Sequence, residues 1–194
     1  MLDRVIIVTG IPGTGKTTVC NETLKLSEQT QKKIEVINYG SIMVELSHKR
    51  GKSLHRDELR RSGLTFQRNL QAEAAKIISK KTSEVQGDII VDTHMSIKAA
   101  SGYLAGLPFH VLQLLNPDML VLVEAEPHEV LSRRFKDRTR KRDKAMENEI
   151  MEEILFSRLM AAACAVLTGA PVKIVKNPAG KQAEVAEEVL KLLV

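Results

Sequence analysis

Gly10-Ile11-Pro12-Gly13-Thr14-Gly15-Lys16-Thr17 fills every fixed position of the pattern Gly-x4-Gly-Lys-Ser/Thr, and Thr18 follows it. The chemistry these residue types can do is anion binding. Glycines let the backbone turn tightly enough to aim several N–H groups at phosphate oxygens. The helix that follows offers unpaired N–H groups and the positive end of its dipole to the same anion. Lys16 adds a mobile positive charge for the outer phosphates, and Thr17 a hydroxyl for Mg²⁺. A glycine-rich turn that merely joins strand to helix is the alternative. The complete pattern, after a β-branched run at 4–8 and before an amphipathic stretch at 16–28, favours the phosphate loop.

Other residues can serve the same chemistry. Asp92 closes the run Asp88-Ile89-Ile90-Val91-Asp92, where a carboxylate can support a magnesium shell near Thr17; capping the next turn is the alternative. His94, two residues on, falls where ligands bind in open α/β sheets, and is weighed equally as a substrate contact and as a structural residue. His48, His55, His110 and His128 have no ligand-like spacing. Arg56-Asp57-Glu58-Leu59-Arg60-Arg61 could clamp a second phosphate, or form a solvated helical face. Gly102-Tyr103-Leu104-Ala105-Gly106-Leu107-Pro108 reads as the wall of a base pocket in preference to a plain loop. Residues 133–144 hold eight basic and two acidic side chains, a local balance of +6, so the net charge of +5 is one patch on an otherwise near-neutral chain. Its arginines suit a lid closing on a transferring phosphoryl group; an RNA-binding patch or a solvated helix is the competing reading.

Those groups need a frame. Apolar runs at 4–8, 34–38, 88–92, 119–123 and 172–176 alternate with helical patterns, including 16–28, 64–84 and 183–193. Five nearly continuous apolar strands between helices predict a parallel sheet covered on both faces, in one α/β domain spanning 1–194. Pro127 predicts the first turn of a helix. The apolar stretch 155–167 reads as core in preference to a subunit interface. No apolar run approaches the ~18 residues of a membrane span, and the first residues carry no signal-peptide pattern. Cys20 and Cys164 fit neither CxxC nor a secreted framework, which predicts a reducing cytoplasm. Aromatics are 3% with no Trp, which argues against single-strand nucleic-acid platforms.

A phosphate loop leaves several classes open. The guanine-reading Asn/Thr-Lys-x-Asp pattern is absent, and the chain is short for a motor with sensor subdomains. A kinase for a small acceptor is favoured on these grounds. Its rivals are a kinase for CMP, UMP or a non-nucleotide alcohol, and a nucleic-acid-associated NTPase.

The blocks TGIPGTGKTT, INYG (37–40), RDELR (56–60), VDTH (91–94), GYLAGLP (102–108), LNPDMLVLVEAEP (115–127), RRFKDRTRKRD (133–143) and GAPVKIVKN (169–177) together resemble the archaeal-type adenylate kinases. The resemblance runs almost end to end. It implies a P-loop NTPase fold with a five-stranded parallel sheet, an acceptor-binding segment at about 39–68 and a lid at about 134–146. It implies Mg·ATP + AMP ⇌ 2 ADP with Mg²⁺ as cofactor, no nucleic-acid or membrane partner, and commonly a homotrimer. By the same resemblance Gly10, Ile11, Pro12, Gly13, Thr14, Gly15, Lys16, Thr17 and Thr18 hold ATP. Tyr39, Arg60, His94 and Tyr103 face AMP, and Thr17 and Asp92 hold the metal. Lys16, Arg133, Arg140 and Arg142 surround the transferred group, while Arg138 sits where the family pattern is looser. Two departures are Ala105, where the family usually has Pro, and Ala99-Ala100 in place of a Thr-Pro-like pair.

Overall fold

A single glycine-bearing turn separates the first strand, β1 (Val5–Thr9), from the first helix, α1 (Lys16–Gln29). The computed structural model describes residues 4–52, 54–55, 58–59, 62–99, 102–134 and 144–193, without the side chains of 144 and 145. After α1 come β2 (Ile34–Asn38), α2 (Tyr39–Lys49), α3 (Leu64–Glu84) and β3 (Asp88–Asp92). A hairpin of β4 (Ser96–Ala99) and β5 (Gly102–Ala105) follows, then α4 (Phe109–Leu115), β6 (Met119–Glu124) and α5 (Pro127–Arg134). The chain closes with α6 (Lys144–Thr168), β7 (Val172–Lys176) and α7 (Gln182–Lys191).

The main sheet is five-stranded and parallel, in the order β2-β3-β1-β6-β7. The chain leaves β1 in one direction to build β2 and β3, and returns past it to build β6 and β7. That makes the carboxyl end of β1 the switch point, where an open sheet forms its ligand crevice. Register sharpens the crevice: Val8 pairs with Asp92, and Asp92 with Asn38.

Alternation along the strands divides the core in two. Ile7, Ile89, Val91, Leu120 and Leu122 meet Leu46 of α2, Leu70 and Ile78 of α3, Leu112 of α4 and Cys164 of α6 on one face. Ile6, Val8, Ile90, Val121 and Val123 meet Val19 and Cys20 of α1 and Val185 and Val189 of α7 on the other. The helical frame predicted at 64–84 matches α3, and Pro127 opens α5.

One reading is refined and one changes. The segment 102–108, read as a pocket wall in preference to a plain loop, begins as a strand: its first four residues form β5, paired antiparallel with β4. The stretch 155–167 is only half core. Ala161 and Cys164 point inward, while Leu155, Leu159 and Val166 are 57%, 61% and 85% exposed. A helix apolar on all sides cannot bury every side against one sheet, so the outer stripe of α6 is left bare.

Candidate active site

In the phosphate loop Gly10, Gly13 and Gly15 all take positive φ, a region other residues enter at a cost. Ile11 points back into an apolar cluster with Ala125, Val130 and Ile150, which anchors the loop from behind. Thr14 is buried, its Oγ1 donating to the Ile11 carbonyl at 3.1 Å. The remaining loop residues (Pro12, Gly13, Gly15, Lys16, Thr17 and Thr18) line an open cavity bounded by His94, Arg133, Asn177 and Gln182. Lys16 is 5% exposed, and its Nζ donates to the Ile11 carbonyl at 3.1 Å.

At the floor of the crevice Thr17 Oγ1 donates to Asp92 Oδ2 at 2.6 Å, and Asn38 Nδ2 donates to the same oxygen at 2.7 Å. Asn38 is held in turn, because its Oδ1 caps α2 by accepting from the Ser41 N–H at 3.0 Å. The first turn of α1 and the ends of β2 and β3 thus each deliver one polar group to a single point.

A second cavity opens on the other side of that point, lined by Tyr39, Met43, Leu59, Gln67, Gln71, Ile97 and Gly106, with Asn38 and Asp92 in its floor. Thr17 and His94 line both cavities. The Tyr39 hydroxyl donates to the Gln71 carbonyl at 2.6 Å, and burial pushes its pKa above the usual tyrosine value. Gln71 Nε2 donates to the Ala105 carbonyl at 3.1 Å.

Arg133 and Arg134 end α5 against the loop. Arg133 Nη1 donates to the Thr14 carbonyl at 3.1 Å and Nη2 to the Asn177 carbonyl at 2.9 Å. Arg134 Nε donates to the Pro12 carbonyl at 2.9 Å, and its guanidinium pairs in bidentate fashion with Glu153 of α6. In this structure Arg133 therefore bridges one loop carbonyl and the carbonyl that follows β7.

Tyr103 departs from its expected place. In a hairpin, side chains alternate between faces. Tyr103 shares a face with its partner Lys98, whereas Ile97, which lines the cavity, shares the opposite face with Leu104. The Tyr103 ring stacks on Phe156 of α6 with centroids 4.2 Å apart, and it is not among the cavity residues. Arg60, Arg138, Arg140 and Arg142 lie outside the described residues, as does Ala100. Burial pushes the Cys20 thiol up, and that of Cys164 up to about 11, so neither offers a thiolate nucleophile.

Sequence reasoning missed Asn38, Gln71 and Asn177, and read Arg134 only as one of the lid arginines of 133–144. Asn38 and Asn177 carried a usable signal, each standing at the carboxyl end of a parallel strand. Gln71 carried none, being one of several polar residues along α3. Among the described residues, no three His, Cys, Asp or Glu side chains gather as a metal cluster. No helix among them is long and apolar enough to cross a membrane.

Residues 9–151 match a family model described as an AAA domain. The chain is 41% identical to the adenylate kinase of Methanocaldococcus jannaschii over 193 residues, covering all of both chains. It is 44% identical to the adenylate kinase of Methanopyrus kandleri, covering 96% of each. To that of Pyrococcus furiosus it is 42% identical, over 97% of this chain and 94% of the relative. Among solved structures it resembles TT1252 from Thermus thermophilus (TM-score 0.59, 15% identity, 99% and 96% coverage). It also resembles a shikimate kinase from Acinetobacter baumannii with shikimate bound (TM-score 0.58, 13% identity, 98% and 92% coverage). At such identities these two likenesses speak for the fold alone.

Proposed function

The chain belongs to the adenylate kinase family of these archaeal relatives, and from that premise we propose how its two cavities perform Mg·ATP + AMP ⇌ 2 ADP. It is an ATP:AMP phosphotransferase. The observation that carries the site assignment is the wall shared by the two cavities: Thr17 and His94 face both, at the switch point of the sheet.

ATP lies along the loop cavity, with its phosphates on the backbone N–H groups of residues 10–18 and Lys16 against the outer ones. AMP occupies the cavity of Tyr39, Gln71 and His94. With Gln71 Nε2 committed to Ala105, its Oε1 remains to accept from an exocyclic amine, which adenine carries and guanine and uracil lack at that position. The attacking group is a phosphate oxygen of AMP that is already anionic, so no general base is required. Catalysis is then alignment of two phosphate chains across the shared wall and neutralisation of the charge between them. Arg140 and Arg142 supply that charge from the lid at about 134–146, with Arg133 beside the loop at the end of α5; Arg60, in the segment at about 39–68, holds the acceptor phosphate. Tyr103 supports the hairpin and not the nucleotide, its ring being stacked on Phe156.

The Thr17 hydroxyl and Asp92 carboxylate, 2.6 Å apart with Asn38 beside them, are the oxygen donors a hard divalent cation takes together with phosphates. They fit Mg²⁺, which Thr17 and Asp92 would hold and which would supply neutralisation of phosphate charge. The bare stripe of Leu155, Leu159 and Val166 supports self-association, with a homotrimer as the assembly. The enzyme acts in the cytoplasm on ATP, AMP and ADP, without nucleic acid.

A panel of acceptors with Mg·ATP and coupled ADP detection tests the reading. ADP formation should require AMP, and RNA should leave it unchanged. Faster turnover with CMP, UMP or a non-nucleotide alcohol, or stimulation by RNA that weakens steeply with salt, would overturn it.

A further inference from the structure

Asn177 is the first residue after β7, at the same sheet edge as the phosphate loop, and it is fully buried. Its main-chain N–H donates to the Glu124 carbonyl at 2.7 Å, extending the pairing of β6 with β7 by one rung. That rung sets the side chain against the loop, where Nδ2 donates to the Thr14 carbonyl at 2.8 Å. The same carbonyl accepts from Arg133, which also closes onto the carbonyl of Asn177 itself. A Cβ added at Gly15 would lie 2.5 Å from Asn177 Nδ2, so the carboxamide and the loop backbone are in direct contact.

A peptide bond is planar and trans, so the Thr14 carbonyl and the Gly15 N–H point in opposite directions. Holding the carbonyl on Asn177 and Arg133 turns the Gly15 N–H away from them. Among the described residues that N–H donates to no protein acceptor. At the mouth of a helix, an N–H held this way is a donor for an anion.

We propose that Asn177 is a positioning residue for the donor phosphates: its carboxamide locks the Thr14–Gly15 peptide in the orientation that offers the Gly15 N–H to them. It touches no reacting atom and acts through the loop. The role rests on the donor-side reading given above, and couples the end of the last strand to the first turn of the site.

Two full-length variants test it. Asn177→Leu keeps the volume and removes the donor; Asn177→Asp removes the donor and adds charge. Inorganic triphosphate, ATP and AMP are titrated against each by calorimetry with Mg²⁺. For Asn177→Leu, triphosphate and ATP should each bind about tenfold more weakly, with AMP within about twofold of the parent. For Asn177→Asp the loss should be larger and should shrink as pH falls, because a protonated carboxyl can again donate to Thr14. Parent-like triphosphate binding by Asn177→Leu would overturn the role. So would equal losses for AMP and triphosphate, or a loss for ATP alone, which would mean contact with the base. Should Asn177→Leu not fold, a flat pH profile in Asn177→Asp overturns it. A parent enzyme that binds no triphosphate would instead sink the donor-side reading.

Discussion

Gly106→Ala puts a methyl group where the fold has no room for one. A Cβ there would lie 1.7 Å from the His94 carbonyl oxygen and 2.8 Å from its carbon. Both obstacles are main chain, so no rotamer change relieves them, and the two segments must part by more than an ångström. They are also stitched together, since the Gly106 N–H donates to the Met95 carbonyl at 2.9 Å. Overpacking of this kind costs about 1–3 kcal/mol, and a backbone obstacle belongs at the upper end. At about 3 kcal/mol, a chain of this size loses roughly 6–12 °C in Tm. His94 and Gly106 both line the acceptor cavity, and a displacement of about 1 Å there costs around a hundredfold in turnover. The expected outcome is a hundredfold fall in kcat/KM for AMP, with triphosphate affinity unchanged within about twofold. Coupled ADP detection with each substrate varied, beside calorimetric melting, reads both effects. Unchanged Tm together with unchanged AMP kinetics would refute the close approach as a determinant of the acceptor side. A comparable loss of triphosphate affinity would refute its locality.

Lys16→Ala should lower kcat by about three orders of magnitude while the far-ultraviolet circular dichroism is retained, since charge on the phosphates is its task; retained activity would count against that task. Glu124 receives a bidentate pair from Arg158, both contacts at 2.7 Å, and Lys176 at 2.8 Å. Burial alone would raise its carboxyl, but these partners hold it below the usual value of 4.5. A depressed carboxyl contributes stability above its ordinary pKa and loses it as pH falls through the folded value. Glu124→Gln should therefore cost about 1–3 kcal/mol at neutral pH, and the gap to the parent should close below about pH 4.5 in denaturant titrations. A gap independent of pH would show that the charge is not the cause. Leu155→Glu with Leu159→Glu should abolish the proposed self-association, lowering the mass read by light scattering to that of a monomer without loss of helicity; an unchanged mass would free that stripe from any role in assembly.

Much of this molecule is local and therefore legible in its residues alone. The loop pattern, the five apolar runs and the frame of α3 depend on neighbours one to eight positions away, and each reappears in the fold. The pairing of Thr17 with Asp92 was also foreseeable, because the helix start that follows β1 and the end of β3 lie at the same carboxyl edge of one parallel sheet. What tertiary structure alone decided is direction. Which face of the hairpin Tyr103 occupies depends on pairing register, and register places it on Phe156, on the face opposite the one from which Ile97 lines the cavity. Which face of α6 is covered depends on how much sheet is available to cover it. Whether Arg133 serves the loop or the substrate depends on a carbonyl 119 positions away, and Asn177 reaches that carbonyl across 163. Residue types and spacing determined that phosphates are held here; the long-range packing of β7 and α5 decided how the backbone that holds them is aimed.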